Sequence, residues 1–420
     1  MDPIEKSHAK VMTTNVIILD IHPIEDSRVN RHIVFLLKKG YSVCRIHVNR
    51  FNPNLQEGPF SNHGERGYRI NLFDTKNSRK NSILYNIYAL TILQKRVEDA
   101  LMVLGWKGGS CSIFHVHDPS LLLVAKKMTL VHKTATIVYD RHEVYEQGKR
   151  HFGVTFPCVE RIYEVLSKRA VKGVITVSEG YIPVCKDLFP YAVIKAVPNF
   201  PKSSDYDILA IEGKIKSFSA DSPINLVYFG SLDYHYDRDI PLILKISDRL
   251  LADYPQTNVY IGGGTEDQAL ISDFAHLSDK YPERFHFTGL IPREKVIEIT
   301  EKAHFGYCLL KPDTIYWVRI SPNKVFEYLM CGTIPIIRAD VDYANMFSRC
   351  ALIFDRYAPE DEIISSVGSL IQQPEGMLEM MKECLKVREN FLYEAVSARY
   401  VQLYKEVQSS SHHSPDHDNS

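Results

Sequence analysis

The stretch from Arg319 to Ile337, read Arg-Ile-Ser-Pro-Asn-Lys-Val-Phe-Glu-Tyr-Leu-Met-Cys-Gly-Thr-Ile-Pro-Ile-Ile, holds the chain's most informative chemical groups. Ser321 is a good helix N-cap and Pro322 a good first helical residue. Gly332 suits the exit from that helix, and Pro335 falls in the strand beyond it. The predicted helix is short, and Ser321, Pro322 and Asn323 form its start. Unpaired backbone N–H groups and a positive dipole end there suit a phosphate. Lys324 in the first turn adds a mobile cation. Glu327 follows three residues later, on the same helix face. Its carboxylate can accept hydrogen bonds from the vicinal hydroxyls of a ribose. An acid beside an anion site repels the anion unless the acid binds a neutral polyol, so the pair points to a nucleotide. A Lys–Glu pair on a surface helix is the structural alternative.

Further groups sit where apolar runs end. Gly230-Ser231 follows the run Ile224–Phe229, and Arg238 lies seven residues beyond Ser231. A small residue there admits a diphosphate close to backbone, and an arginine can clamp it. Gly263 lies in a glycine triplet after the next run, a pattern that more often marks a turn. The loop holding Ile291 could read a base edge through its backbone. In the first half, Phe114-His-Val-His-Asp118 and Tyr139-Asp-Arg-His-Glu143 end two other runs. His117, Asp140, His142 and Glu143 are therefore candidates for sugar binding or proton handling. Their spacing fits no standard zinc site. Structural histidines are the alternative.

These groups need elements to place them. Short apolar runs alternate with helical patterns, as in Val16–Asp20, Ser42–Val48, Ile113–Val116 and Ala135–Tyr139. The alternation restarts at Ile224–Phe229 and continues through Asn258–Ile261, Phe285–Thr288, His304–Leu309 and Ile334–Ile337. Near-continuous apolar strands imply parallel sheets covered on both faces. Two such series predict two Rossmann-like doubly wound domains facing a cleft, with ligands beyond the strands' carboxyl ends. The break falls near residues 199–223, where Pro198, Pro201 and Pro223 lie and there is little periodicity. The domains are expected at 1–202 and 203–385. A C-terminal helix, 386–408, is expected to return to the first domain, and a disordered polar tail to follow at 409–420.

The chain has 420 residues, enough for two cores. Its formal charge of −1 gives no bulk case for nucleic-acid binding. Eight cysteines with no CxxC pair read as free thiols in a reducing cytosol. No signal peptide or bilayer-spanning run is visible, so a cytoplasmic protein is expected. Residues 126–187 carry eleven Lys/Arg against seven Asp/Glu, an excess that would allow weak peripheral contact with the inner face of an anionic membrane. A solvated mixed-charge face is the plainer explanation.

The chain resembles the retaining nucleotide-sugar glycosyltransferases of the GT-B fold, family 4 in particular, over about residues 15–395. Asp26-Ser-Arg-Val29 with Gly40-Tyr41 is similar to that family's opening. His115-Val-His-Asp118, Asp140-Arg-His-Glu143, Val177-Ser-Glu179 and Val197-Pro-Asn-Phe200 follow in family order. Ser321-Pro-Asn-Lys-Val-Phe-Glu-Tyr328 with Gly332 and Pro335 is the most specific piece. The resemblance implies that Glu327 binds the donor ribose and that Lys324 and Arg238 lie near the diphosphate. It further implies that Ser321, Pro322 and Asn323 present backbone to the phosphates or the sugar. His117, Asp140, His142 and Glu143 would lie near the sugar or the acceptor. Two positions depart from the family. Arg319 stands where an acid is usual, and Ser231 where an arginine is usual. Arg319 is expected to supply the missing positive charge.

The implied reaction moves a sugar from a nucleoside diphosphate sugar to an acceptor hydroxyl with retention, in polysaccharide or glycoconjugate synthesis. The acceptor would be a saccharide or a lipid-linked sugar. No metal and no cofactor is required, and no nucleic-acid partner is expected. The Asp-x-Asp triplets that begin at Asp205, Asp237 and Asp340 do not end an apolar strand. Two other readings remain at this stage: a non-hydrolysing sugar-nucleotide epimerase and a catalytically inactive scaffold of the same fold.

Overall fold

A computed structural model describes residues 14–50, 52, 54–72, 83–106, 112–142, 155–233, 237–312 and 320–411. The apolar runs become strands because continuous Val, Ile, Leu and Phe can be buried on both faces of a parallel sheet. In the first sheet these are β1 (Asn15–Asp20), β2 (Ser42–Asn49), β3 (Gly58–Phe60), β4 (Arg66–Asn71), β5 (Ser112–Val116), β6 (Ala135–Arg141), β7 (Val171–Thr176) and β8 (Val193–Ala196). Their order is β3-β4-β2-β1-β5-β6-β7-β8. Every pairing is parallel except that of β3 with β4. Ile17, Ile46, Phe114, Val116, Ile137 and Tyr139 are fully enclosed in its core.

The second sheet holds β9 (Ile224–Phe229), β10 (Thr257–Gly262), β11 (Phe285–Gly289), β12 (Phe305–Leu309), β13 (Ile334–Arg338) and β14 (Leu352–Phe354). Its order, β11-β10-β9-β12-β13-β14, is the 3-2-1-4-5-6 arrangement of dinucleotide-binding folds. The direction of strand addition reverses between β9 and β12, and the crevice at that point is where such sheets bind ligands. Each of the two sheets anchors one compact unit. Residues up to 177, 182–197 and those from Ser397 onward form the first; residues 178–181 and 198–396 form the second.

Two local expectations differ from the structure. The stretch read as a linker contains the helix Ile208–Ser217, capped by Asp207, whose carboxylate accepts from Ala210 N at 3.0 Å. Ile211 and Ile215 are buried in the second core. The C-terminal helix expected at 386–408 is interrupted at its start. A tight turn at Arg388–Phe391 and an extended Leu392 separate the helices Pro374–Val387 and Tyr393–Ser411. The later part of Tyr393–Ser411 packs on the first unit, as the expected architecture requires. Leu403 and Val407 cover Gly173 on β7, and a side chain at Gly173 would press into both. The tail expected to be disordered lies, from residue 412 on, outside the described residues.

Candidate functional site

In the second unit the chemistry gathers where β9 and β10 end. Gly230 N donates to Gly262 O at 2.9 Å and Gly263 N to Gly289 O at 2.9 Å, so the strand ends are stitched together. Gly263 has φ +151°, and a Cβ there would fall on the carbonyl oxygen of Gly230. Glycine is thus a steric necessity at that position. Lys324, from the helix Asn323–Met330, reaches back to the same place. Its ammonium donates to Phe229 O and lies 5.3 Å from the Tyr228 ring centroid. A Cβ on Gly230 would meet Lys324 Nζ at 2.7 Å, so the bare backbone makes room for the cation. Burial lowers the lysine pKa; Glu327 opposes the drop and Arg238 adds to it. Tyr228 OH donates to Ser231 O at 2.9 Å and sets the turn after β9. Arg238 pairs with Asp237 and stays partly exposed.

One helical turn beyond Lys324, Glu327 Oε1 accepts from Arg293 Nη1 at 3.3 Å, with both side chains partly exposed. Arg293 opens the helix Arg293–Glu301 after β11. Ile291, in the loop before it, packs against the small cluster of Val227, Phe229 and Tyr328. Among the described residues the buried Tyr206 hydroxyl has no hydrogen-bond partner. Burial first, then the charge of Glu327, raises its pKa.

Ser321 is a correction. It does not cap the helix: Pro322 is the cap residue, with extended backbone and no side-chain cap bond. A backbone bond from Val325 N to Pro322 O at 3.1 Å opens the helix one residue late. Ile320 is tied to the loop after β13 through Asp340 O and Asp342 N, and among the described residues the enclosed Ser321 hydroxyl has no hydrogen-bond partner. The exposed Asn323 therefore starts the helix, and its first N–H groups have no side-chain competitor.

In the first unit, the helix Ser27–Lys38, β5 and β6 bring several histidines around one carboxylate. Asp140 is fully buried and gripped by Arg28, whose Nη2 donates to Oδ1 at 2.7 Å and whose Nε donates to Oδ2 at 3.2 Å. Arg28 also donates to Val197 O at 2.8 Å. Burial alone would raise the Asp140 pKa; Arg28, then His142, outweigh it and hold the carboxyl well below the usual range. His117 Nδ1 meets His142 Nε2 at 3.0 Å, and His32 Nδ1 meets His117 Nε2 at 3.4 Å. Tyr404 OH bridges His32 Nε2 at 2.9 Å and His115 Nδ1 at 2.7 Å. Burial is the first cause that lowers the pKa of His32, His115, His117 and His142. His142 keeps 14% of its side chain exposed, whereas His115 and His117 are closed off.

The structure thus brings together His117, Asp140 and His142, and separately Gly230, Ser231, Arg238, Gly263, Lys324 and Glu327. Glu143 and Arg319 lie outside the described residues. Sequence reasoning missed His32, Tyr400, Tyr404, Arg293 and Tyr206 as members of these sites. For Arg293 the signal was present, since it directly follows the loop holding Ile291. The triads His32/His115/His117 and His117/Asp140/His142 each place three ligand atoms within 4.8 Å. A metal in the second would compete with Arg28 for Asp140. These three Asp-x-Asp triplets have structural uses: Asp207 and Asp239 cap helices, and Asp342 accepts from Ser178.

Two doubly wound α/β units with the last helix returned to the first define the GT-B class of fold. No family model matches the chain, and no curated protein matches it. Solved structures do. A sucrose-phosphate synthase from Thermosynechococcus elongatus superposes with a TM-score of 0.71 at 14% identity, covering 94% of this chain and 100% of its own. A UDP-forming α,α-trehalose-phosphate synthase from Burkholderia xenovorans gives 0.69 at 9% identity, covering 94% and 99%. A trehalose-6-phosphate synthase studied with bisubstrate glycomimetics for glycosyltransfer with retention gives 0.65 at 13% identity, covering 93% and 99%. Among the described residues no helix is long and apolar enough to cross a membrane.

Proposed function

We propose that this chain is a retaining glycosyltransferase that moves a sugar from a nucleoside diphosphate sugar to a hydroxyl of a saccharide acceptor. The observation that carries the reading is the seat of Lys324. Its ammonium rests on the bare backbone of Phe229–Gly230 at the switch point of a 3-2-1-4-5-6 sheet, and Glu327 stands one turn further along the same helix. A diphosphate needs the cation and the open backbone, and the ribose beside it needs the carboxylate. Solved neighbours described as UDP-forming and as acting with retention support the same chemistry.

Departure of the diphosphate breaks the bond from the anomeric carbon to phosphate oxygen and builds negative charge. Lys324, Arg238 and the uncapped helix start would stabilise that charge without a metal. The acceptor oxygen attacks from the same face, and its proton passes to the leaving phosphate. Arg319 would add a further cation. His142, which keeps part of its side chain exposed, would contact sugar hydroxyls in the first unit, and the buried His117 and Asp140 would hold its ring in place.

Nucleoside diphosphates should raise the thermal stability of the protein. A ligand at a hundred times its Kd adds about 2.7 kcal/mol. Lys324→Met should weaken that binding about 10- to 100-fold, the worth of a charge-assisted hydrogen bond. Absence of stabilisation by any nucleoside diphosphate would overturn the reading. Conversion of a sugar nucleotide to its epimer without acceptor would assign the epimerase instead. Binding without turnover on any saccharide would assign the scaffold.

A further inference from the structure

Four neutral histidines and one tyrosine form an unbroken line in the first unit. From its outer end it runs His142 Nε2 to His117 Nδ1, His117 Nε2 to His32 Nδ1, His32 Nε2 to Tyr404 OH, and Tyr404 OH to His115 Nδ1. His115 Nε2 ends the line 3.6 Å from Asp140 Oδ2 and, among the described residues, makes no hydrogen bond. Each neutral imidazole carries one proton, and the tyrosine carries one. Every link needs one donor and one acceptor, so choosing the direction of one link sets all the others. The line has two self-consistent states, which point opposite ways.

Asp140 decides between them. Three ring nitrogens of the line face its carboxylate at similar distances: His117 Nδ1 at 3.5 Å, His115 Nε2 at 3.6 Å and His142 Nε2 at 3.7 Å. If protons run from His142 inward, the His142 Nε2 proton is given to His117 Nδ1 beside the carboxylate, and His115 Nε2 at the far end turns its N–H toward Asp140. In the reverse state the His142–His117 link still holds one proton, now on His117 Nδ1, but His115 Nε2 turns a lone pair on the carboxylate. The charge of Asp140 is held in place by Arg28, and Tyr400 OH also donates to it at 3.5 Å. The inward state is therefore the lower in energy. An extra proton on the line is disfavoured because burial and the mutual repulsion of imidazolium groups keep these rings neutral.

We propose that Tyr404 is a positioning residue that locks the four histidines in a single tautomer order, leaving His142 with its proton on Nε2 and a lone pair on Nδ1. Among the described residues Nδ1 of His142 has no hydrogen-bond partner. It is therefore built to accept a hydrogen bond from a ligand hydroxyl, and not to donate one to a carbonyl or a phosphate. This use rests on the glycosyltransferase reading, in which the ligand is a sugar. The tautomer order does not.

The test is 15N NMR of the full chain labelled at histidine, assigned with single His→Gln variants. His142 and His115 should show the Nε2–H form; so should His32 and His117. Tyr404→Phe should turn the single forms of His32 and His115 into mixtures. Observation of Nδ1–H forms in the unmodified protein would overturn the proposal. So would stoichiometric uptake of Zn²⁺ with loss of these signals, which would assign the lone pairs to a metal. Unchanged tautomers in Tyr404→Phe would remove Tyr404 from the role. If that variant does not fold, the spectrum of the unmodified protein still decides the order. If the chain also transfers sugar, Tyr404→Phe should raise the acceptor KM several-fold and leave nucleoside diphosphate affinity unchanged. A protein with the expected tautomers and no nucleotide binding would sink the glycosyltransferase reading alone.

Discussion

Mild acid should destabilise the first unit, and the size of the effect can be worked from its buried histidines. Burial holds His32, His117 and His142 well below the ordinary imidazole value. Nearby imidazoles add to the drop, and Asp140 opposes it. In the folded state they stay neutral where the unfolded chain, with a pKa of about 6.5, takes up protons. The unfolded state then binds more protons, so stability is fully present above about pH 6.5 and falls as pH drops below it. Between about pH 7.5 and 5.5 each such histidine costs about 1.3 kcal/mol, or about 4 kcal/mol for the three. That is a large part of the roughly 5–15 kcal/mol available to a domain. The assay is urea unfolding followed by tryptophan fluorescence. The chain has two tryptophans, and Trp317→Phe leaves Trp106, buried in the first core, as the reporter. His142→Gln should reduce the drop by about a third. A change below about 1 kcal/mol over this range would refute the reasoning, because it would mean that the folded histidines are already protonated.

Arg28→Met should cost about 3–5 kcal/mol, since it strands Asp140 as an unpaired charge among neutral rings. With Arg28 present, the depressed Asp140 pKa gives stability above about pH 4 that is lost on acidification; in the variant, acid should instead relieve that group, and unfolding curves at several pH values will show the change of sign. Gly263→Ala should cost about 1–3 kcal/mol through its positive φ and the clash with Gly230 O, and it should weaken nucleoside diphosphate binding in parallel, as read by denaturation and titration calorimetry. Glu327→Gln should weaken binding of ribose-bearing diphosphates about 10-fold while leaving inorganic pyrophosphate unaffected; equal losses for both would take Glu327 away from the ribose.

The sequence by itself determined the local elements and the groups they carry. Apolar runs such as Ile224–Phe229 become strands because their periodicity is a property of neighbouring residues, and the Lys324–Glu327 spacing is fixed by the helix that bears it. His117 and Asp140 were visible for the same reason: each closes its own apolar run. Where local signal was weak, the reading failed. The helix Ile208–Ser217, with Gly213 inside it and Pro198, Pro201 and Pro223 around it, looked like a break between domains until burial of Ile211 and Ile215 supplied its stability. Ser321 looked like a cap until the tie between Ile320 and the loop after β13 displaced it. The pairings that define both sites were settled by tertiary structure alone. Tyr404 meets His32 across 372 positions, Arg28 meets Asp140 across 112, and Arg293 meets Glu327 across 34. No spacing rule reaches that far. Strand order brings such residues together, and strand order is chosen by how two whole sheets bury their faces.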